Sequence, residues 1–194
     1  MKKGLLIILS GPSGVGKGTV RSYLMQDKSI ELNYSVSMTT RKPRRDEING
    51  KDYFFVSKKV FSDAVRDGKL LEHADFVNHS YGTPKESVDK LINAGHNVLL
   101  EIETNGARQV MEKYKELNER YVSIFLVCQS IEELEKRIRN RKSETEEAIH
   151  KRVEKGKKEL ELRSSYMYVV LNDNPQRAAK EISDIIKKEQ LKEN

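Results

Sequence analysis

The chain has 194 residues, of which 37% are hydrophobic and 34% charged, with 11 Gly, 4 Pro, one Cys and no Trp. Sparse Gly and Pro without an internal repeat exclude collagen-like, mucin-like and low-complexity proteins, and a single Cys excludes an internal disulfide. No apolar run approaches the roughly 18 residues that cross a bilayer, so we expect one soluble, cytoplasmic domain. A formal net charge of +6 suits an anionic partner without identifying it.

Apolar runs alternate with helical patterns along the chain. The first run, residues 5–9, leads into Gly-Pro-Ser-Gly without a cleavage site, so it predicts a strand buried on both faces rather than a signal peptide. A helix is expected over about 17–26, and a capping box at Ser130 and Glu133 opens a later one. This alternation predicts an α/β fold with a parallel sheet. Further strands are expected at 97–103, 121–128 and 168–171, before a last amphipathic helix with Ile182, Ile185 and Ile186.

Two segments interrupt this alternation and predict insertions into one core. Residues 35–92 hold a basic turn, a short aromatic strand, a helix opened by Ser57 and another helix near Pro84. Residues 138–162 are very polar, with few apolar positions, as in a lightly packed helix. We therefore expect a single domain whose core comprises 1–34, 93–137 and 163–194, with a substrate lobe at 35–92 and a mobile lid at 138–162.

A glycine-rich turn follows the first predicted strand and opens the first helix. Its Gly-x-x-x-x-Gly-Lys spacing is that of a phosphate-binding loop, whose backbone N–H groups converge on phosphate oxygens while the lysine adds a positive charge. The general pattern continues with Ser or Thr, but here Gly18 precedes Thr19, which leaves the hydroxyl that would contact a metal unassigned. The predicted ATP-binding residues of the loop are Gly11, Pro12, Ser13, Gly14, Val15, Gly16, Lys17, Gly18 and Thr19.

Two acidic residues, Glu101 and Glu103, end the apolar run at 98–100. The two-residue period of a strand places them on one side, at the carboxyl end, where open α/β sheets bind their ligands. One interpretation is a pair of exposed acids at the edge. The other is that they hold Mg²⁺ through water and orient an arginine.

Later segments resemble guanylate kinases, in order over nearly the whole chain. The stretches Ser-Val-Ser-Met-Thr-Thr-Arg-Lys-Pro-Arg (35–44) and Glu-Ile-Asn-Gly-Lys-Asp-Tyr-Phe-Phe-Val (47–56) are similar to the GMP-binding lobe of that family, as are 72–76 and 81–84. The stretch 137–152 and the segment 170–173 are similar to its lid and adenine site. The resemblance implies a P-loop NTPase-type parallel sheet flanked by helices, with an inserted GMP-binding lobe and a helical lid.

The resemblance also implies a reaction, in which ATP with Mg²⁺ phosphorylates GMP to give ADP and GDP. From the residues alone, Arg41 and Arg44 flank Pro43 in a stiff turn and can each offer paired donors to a phosphate. By similarity to the family, Asn172 is expected to meet the adenine. The residues assigned to GMP are Ser37, Arg41, Arg44, Tyr53, Glu72, Tyr81, Thr83 and Glu103. Those assigned to catalysis are Lys17, Arg41, Arg137, Arg141 and Arg152.

Some features depart from the family's pattern. Asn105 stands where Gln is usual, and Lys142 stands where a hinge glycine is usual. His79 and Ser80 precede Tyr81, where the family commonly has an Asn-Tyr pair. These departures concern the lid hinge and the finer substrate contacts, whereas the segments that imply the class of reaction are retained. The four histidines show no ligand spacing with the single cysteine, so no zinc site is expected.

Two alternative functions remain open from the sequence. One is a related phosphate-loop kinase with another acceptor, and the other is a non-catalytic binding module, which is expected to have lost the loop and the lid arginines. The basic turn at 41–45 also suits nucleic acid, but its position within the resemblance favours a nucleotide phosphate. We therefore expect ATP and GMP as partners, and neither nucleic acid nor a membrane. The sequence leaves open the use of dGMP and the oligomeric state.

Overall fold

The computed structural model of the chain describes residues 3–76, 78–140 and 145–192. Strands and helices alternate, as the apolar runs predict. In chain order they are β1 (Leu6–Ser10), α1 (Lys17–Leu24), β2 (Leu32–Tyr34), β3 (Met38–Thr39), β4 (Phe54–Phe55), α2 (Lys58–Arg66), β5 (Leu70–Phe76), β6 (His79–Pro84), α3 (Lys85–Asn93), β7 (Asn97–Glu101), α4 (Thr104–Glu116), β8 (Tyr121–Val127), α5 (Ile131–Arg139), α6 (Glu146–Glu161), β9 (Tyr168–Leu171) and α7 (Pro175–Leu191). A short 3₁₀ turn, Leu162–Ser165, follows α6.

The central sheet has five strands in the order β2-β7-β1-β8-β9, and each neighbouring pair is parallel. Leu6 of β1 lies opposite Val98 of β7 on one side and Tyr121 of β8 on the other. The carboxyl ends of these strands therefore meet at one edge, where the loop after β1 begins. The predicted α/β fold with a parallel sheet is confirmed.

Both faces of the sheet are buried. Side chains alternate along β1, so that Ile7 and Leu9 enter one apolar cluster while Leu6 and Ile8 enter the other. The first cluster receives α1, α5, α6 and α7, and the second receives α3 and α4. Each buried Leu or Ile contributes about 2 kcal/mol relative to an exposed one, which explains the continuous apolar run in β1.

The inserted lobe contains a second, mixed sheet in the order β4-β3-β6-β5. Strands β5 and β6 form an antiparallel hairpin, and β3 pairs antiparallel with β6 and parallel with β4. Helix α2 begins at its predicted cap, where Ser57 accepts a hydrogen bond from the Val60 N–H. Phe61, Ala64 and Leu70 form the small core between α2 and this sheet.

Two helices within the predicted insertions pack on the central sheet. Val88 and Ile92 of α3 lie in the second core cluster, so the lobe at 35–92 includes a helix that belongs physically to the core. Ile149 and Val153 of α6 lie in the first cluster, which anchors the polar segment at 138–162 to the body of the protein. A few apolar side chains at helical spacing are sufficient to bury one face of α6.

Candidate active site

The loop between β1 and α1 has the backbone that its glycines allow. The backbone φ angle is positive at Gly11, Gly14 and Gly16, a conformation that residues with a side chain rarely adopt. A Cβ at Gly11 would lie 2.6 Å from the carbonyl oxygen of Leu126, so the loop closes tightly against β8. Gly16 also caps α1 without a side-chain bond, which leaves the first N–H groups of that helix available to an anion.

Lys17 lies inside this loop rather than extending into solvent. Its ammonium donates to the carbonyl oxygens of Gly11 at 2.6 Å and Pro12 at 3.2 Å. Burial lowers the pKa of Lys17, while the carboxylates of Glu101, Glu103 and Glu159 act in the opposite direction. The lysine is thus a partly desolvated cation at the floor of the loop, where a phosphate could replace the two carbonyl partners.

Two carboxylates lie at the carboxyl end of β7, facing the loop. Glu101 ends the strand and pairs with Arg21, with 3.0 Å between Nε and Oε2. Glu103 lies beyond the strand at the start of α4, because β7 stops at Glu101, and it accepts a hydrogen bond of 2.8 Å from Lys155 of α6. Both acids are therefore already paired with cations on other elements.

The opposite wall of the site belongs to the lobe and contains a buried acid. Glu72 of β5 is only 5% exposed, and its Oε1 accepts a hydrogen bond of 2.6 Å from the Thr83 hydroxyl of β6. Burial raises the pKa of Glu72 to about 7, and the Thr83 bond opposes that rise. Ser37 is also buried nearby in the lobe wall. The Glu72 carboxyl therefore lines the cavity of the site from the lobe side.

A basic and aromatic group lies between these two walls. Arg41 makes a bidentate pair with Glu47, with both nitrogen–oxygen distances 2.8 Å, and its guanidinium lies 5.4 Å from the centre of the Tyr53 ring. Tyr53 and Tyr81 meet edge to face at 5.9 Å. Arg44 is tied into the same turn, because its backbone N–H donates to Glu47.

One cavity of about 260 Å³ connects the phosphate loop to the lobe. Its lining contains the loop residues, the two acids at the carboxyl end of β7, the buried acid of the lobe, the basic turn and Arg152 of α6, which the sequence separates by up to 139 positions. The lining residues are Ser13, Gly14, Gly16, Lys17, Gly18, Ser37, Arg41, Arg44, Glu47, Tyr53, Glu72, Ala74, Tyr81, Glu101, Ile102, Glu103 and Arg152. Thr83 contacts this set through Glu72.

Comparison with known proteins decides the family. The guanylate kinase family model matches residues 3–189. The chain belongs to the guanylate kinase family. A guanylate kinase of Mycoplasma capricolum is 49% identical over 98% of the chain, and one of Listeria innocua is 46% identical over 98% of the chain and 91% of its own length. The crystal structure of the Anaplasma phagocytophilum guanylate kinase superposes with a TM-score of 0.81, at 32% identity, over 98% of this chain and 88% of that one.

The chain spans 63% of the length of the Mycoplasma capricolum relative, and the same share of relatives from Mesoplasma florum and Mycoplasma mycoides. Within the described ranges, no helix is long and apolar enough to cross a membrane. Among those same residues, no three His, Cys, Asp or Glu side chains converge as ligands for a metal ion.

Among the described residues, seven of the predicted site residues do not line this cavity: Gly11, Pro12, Val15, Thr19, Thr83, Arg137 and Asn172. Arg137 belongs to α5, on the core side of the predicted lid, and donates to the backbone carbonyls of Val15 and Asn172. Asn172, which is expected to meet the adenine, is 1% exposed and does not line this cavity, so its predicted role stays a prediction. Thr19 is exposed. Arg141 and the neighbouring Lys142 lie outside the described residues.

Glu47 is a site residue that sequence reasoning did not assign. It organises the basic turn, because its carboxylate holds both the Arg41 guanidinium and the Arg44 backbone N–H. Arg41 in turn lowers the pKa of Glu47. The available signal was a pair of acids, Asp46 and Glu47, directly after three arginines in a short turn, because a phosphate-binding arginine needs an acidic partner to hold its orientation.

Proposed function

We propose that this protein is a guanylate kinase enzyme that transfers the γ-phosphoryl group of ATP to GMP, giving ADP and GDP. The observation that carries the proposal is the single cavity that joins the phosphate loop to a buried carboxyl on the lobe. A phosphoryl donor and a nucleotide acceptor need this arrangement, because the enzyme's main task is to align them and to balance charge. Relatives named guanylate kinase support the same reaction.

The acceptor base is recognised by the lobe. Guanine presents N1–H and the 2-amino group as adjacent donors, and the ionised Glu72 carboxylate accepts from both. Adenine lacks the amino group and has an acceptor at N1, so it would leave this buried carboxylate unpaired. A site built around such a pair can reject the wrong substrate by on the order of 10⁴-fold. Ser37 and Thr83 complete the polar wall around the base.

The acceptor phosphate is held by the basic turn. Arg41 and Arg44 supply positive charge, and the Tyr53 and Tyr81 hydroxyls supply further donors. Glu47 holds Arg41 in its orientation before the nucleotide arrives, so less side-chain entropy is lost when the phosphate binds. This arrangement brings the attacking oxygen of the acceptor towards the donor phosphates.

The donor phosphates are held by the loop. Its backbone N–H groups and the Lys17 ammonium surround the β and γ phosphates, and the charge of Lys17 acts most strongly as the phosphoryl group moves. Arg152 of α6 faces the same cavity, and with Arg141 it would balance the charge on the transferred group. Closure of the lid over both nucleotides would exclude water and limit the hydrolysis of ATP.

The two acids at the carboxyl end of β7, Glu101 and Glu103, fit a role in holding Mg²⁺. Carboxylate oxygens are the ligands this ion prefers. Glu101 Oε1 lies 3.6 Å from the position that a Cβ at Gly18 would take, so it fills the space beside the residue that usually supplies a hydroxyl. Because Glu101 and Glu103 are paired with Arg21 and Lys155, they suit contact through water. Mg²⁺, when bound with ATP, would neutralise charge on the donor phosphates.

An ADP-release assay over GMP, dGMP, IMP, AMP, CMP and UMP tests the proposal. We expect strong preference for GMP, with IMP intermediate because it keeps N1–H but lacks the amino group. In the same assay, Lys17→Ala should lower kcat by about 10²-fold or more, as for a lost preorganised donor. Equal efficiency on AMP and GMP, or normal turnover by Lys17→Ala, would show that the assignment of the site is wrong.

A further inference from the structure

The carboxylate of Glu101, at the carboxyl end of β7, is held by an arginine that the proposed reaction does not involve. Arg21 lies on α1, one helical turn after Lys17, and its Nε is 3.0 Å from Glu101 Oε2. The two side chains are only 27% and 19% exposed, so salt and water screen this pair less than a pair at the surface. Arg21 therefore fixes one oxygen of Glu101.

The guanidinium of Arg21 is itself held by an aromatic ring. Its Cζ lies 4.2 Å from the centre of the Tyr34 ring. Tyr34 ends β2 and lies opposite Leu99 of β7, two residues before Glu101. A guanidinium placed over a ring loses less freedom when it forms a further bond, because its plane is already oriented. We call Tyr34, Arg21 and Glu101 the Glu101 clamp, which joins α1, β2 and β7.

The other oxygen of Glu101 faces the phosphate loop. A Cβ at Gly18 would lie 3.6 Å from Glu101 Oε1, and both residues line the cavity beside Lys17. Gly18 occupies the position where the general phosphate-loop pattern has Ser or Thr, whose hydroxyl contacts Mg²⁺. The space that this hydroxyl would take is therefore next to a carboxylate oxygen whose twin is fixed by Arg21.

We infer that Arg21, supported by Tyr34, is a positioning residue that holds Glu101 Oε1 in place of the hydroxyl that Gly18 lacks. The inference rests on the proposed function, in which Mg²⁺ accompanies ATP at the loop. A carboxylate with one oxygen on Arg21 keeps its other oxygen for a water of the hydrated ion, since magnesium sites usually retain several waters. Removing the partner that orients a metal-binding group typically lowers metal affinity by about 10–100-fold.

The test compares nucleotide binding with and without the ion, which separates metal positioning from a role in stability. Calorimetry gives the dissociation constant of a non-hydrolysable ATP analogue with Mg²⁺ and with EDTA, in the absence of GMP. The metal-free constant divided by the Mg²⁺ constant is the gain from the metal. Arg21→Met keeps an unbranched side chain beside Tyr34 but loses the bond to Glu101, so we expect this gain to fall by about tenfold.

Arg66→Met is the matched control. Arg66 lies on α2 of the lobe and pairs with Asp63 at 2.7 Å, but its side chain is 70% exposed. The substitution removes the same charge from the chain, so an effect of net charge alone appears in both variants. We expect the gain from Mg²⁺ in Arg66→Met to stay within about twofold of that of the unchanged chain.

Tyr34→Leu tests the clamp without changing a charge. It removes the ring but keeps Arg21 and Glu101, so the guanidinium can take other orientations. We expect the gain from Mg²⁺ to fall by about threefold, less than in Arg21→Met. If Arg21→Met fails to fold, this variant decides the question.

Gly18→Ser tests whether Glu101 substitutes for the hydroxyl. Gly18 is the second residue of α1, and a Cβ there would meet Glu101 Oε1 at an ordinary van der Waals distance, so a serine fits. Added to Arg21→Met, Gly18→Ser should raise the gain from Mg²⁺ by about threefold or more, because a hydroxyl returns beside the ion. Added to the unchanged chain, where Glu101 is already oriented, it should raise the gain by a smaller factor.

Three outcomes would overturn the inference. An equal loss of affinity with Mg²⁺ and with EDTA in Arg21→Met would mean that Arg21 supports the loop or contacts the nucleotide itself. An unchanged gain from Mg²⁺ in Arg21→Met and Tyr34→Leu would mean that Glu101 needs no clamp. No recovery by Gly18→Ser in the Arg21→Met background would mean that Glu101 does not replace the hydroxyl.

Failure of the proposed function gives a different result. If the gain from Mg²⁺ changes as expected in these variants, but the unchanged chain does not phosphorylate GMP, the proposed reaction is wrong while the Glu101 clamp is supported.

Discussion

Glu72 shows how burial sets the chemistry of a single residue. An ordinary glutamate is ionised at neutral pH, but burial raises the pKa of Glu72 to about 7, despite the hydrogen bond from Thr83. Between an ordinary pKa of 4.5 and this value, the folded chain binds the proton more tightly than the unfolded chain. The contribution of this carboxyl to stability is therefore greatest at low pH and is lost as the pH rises through about 7.

The same shift predicts a pH dependence of GMP recognition. Because guanine needs the ionised carboxylate, the KM for GMP should rise about tenfold as the pH falls from 8 to 6. Steady-state kinetics at saturating ATP measure it. Glu72→Gln cannot titrate, so it should raise the KM throughout, narrow the gap between GMP and IMP, and remove most of the slope. An equal slope in Glu72→Gln would assign the titration to the nucleotide phosphate instead.

Gly106 gives the buried acid its space. It lies in the first turn of α4, and a Cβ there would be 2.3 Å from Glu72 Oε2 and 2.9 Å from Cδ. Gly106→Ala should therefore displace the carboxyl and raise the KM for GMP by about tenfold, because one recognition bond is lost. The KM for ATP should not change.

Asn105→Ala, in the same turn but exposed, is the control for Gly106→Ala. Helix propensity favours Ala over Gly by about 1 kcal/mol, so without the contact Gly106→Ala would raise the free energy of unfolding. If Gly106→Ala stabilises the chain and leaves the KM for GMP unchanged, then Gly106 of α4 lies further from Glu72 than these distances indicate.

At the scale of elements, the four central-sheet strands with apolar runs were predictable, whereas the edge strand β2 and the helix attachments were not. β9 occupies its predicted residues 168–171, because a short apolar run stops at an Asn-Asp-Asn-Pro turn. The attachment of α3 to the core depends on Val88 and Ile92 meeting side chains of β1 and β7, which are distant in sequence. Periodicity identifies an apolar face but does not identify the surface that covers it.

Helix α6 is attached to the phosphate loop by one buried acid. Glu159 has a side chain only 7% exposed, and it accepts from the Ser13 N–H at 3.4 Å and from the Thr104 hydroxyl at 3.1 Å. Glu159→Ala should lower the free energy of unfolding by about 1–3 kcal/mol, because the buried Thr104 hydroxyl and the partly buried Ser13 N–H lose their acceptor. Urea denaturation measures this change in the free energy of unfolding. The KM for ATP should also rise, because Ser13 belongs to the phosphate loop.

Glu154→Ala removes an acid from the middle of the same helix and is the control for Glu159→Ala. The Glu154 side chain is 46% exposed and pairs with Lys157 at the surface, so the loss should be within about 0.5 kcal/mol. Equal losses in the two variants would mean that α6 is held by Ile149 and Val153 alone.

Across the whole molecule, the sequence identified residues that the fold brings to one cavity, but it did not identify the side chains that pair with them. One cavity is lined by Lys17, Arg41, Glu72 and Tyr81. The phosphate-loop spacing identified the lysine from the sequence, and the family resemblance identified the other three. The Arg41–Glu47 pair and the burial of Asn172 could not be predicted, since both depend on which side chains the folded chain brings within hydrogen-bond distance.

Closure of the lobe and lid is the prediction that belongs to the whole molecule. The cavity of about 260 Å³ is smaller than the roughly 300–1,000 Å³ typical of a site for one small ligand, so two nucleotides would extend beyond it. Arg41 and Arg152 reach it from the lobe and from α6, and neither element alone surrounds the transferred group. Binding both nucleotides should therefore draw the two elements together around the core.

Small-angle scattering tests this closure, with the chain alone, with GMP, with a non-hydrolysable ATP analogue, and with both. A compact chain of this length has a radius of gyration of about 16 Å, and we expect both nucleotides together to reduce it by about 0.5–1 Å. Each nucleotide alone should have a smaller effect, because each contacts only one side of the cavity. An unchanged radius with both bound would contradict a moving lid, and Lys142 at the expected hinge glycine makes that measurement decisive for this chain.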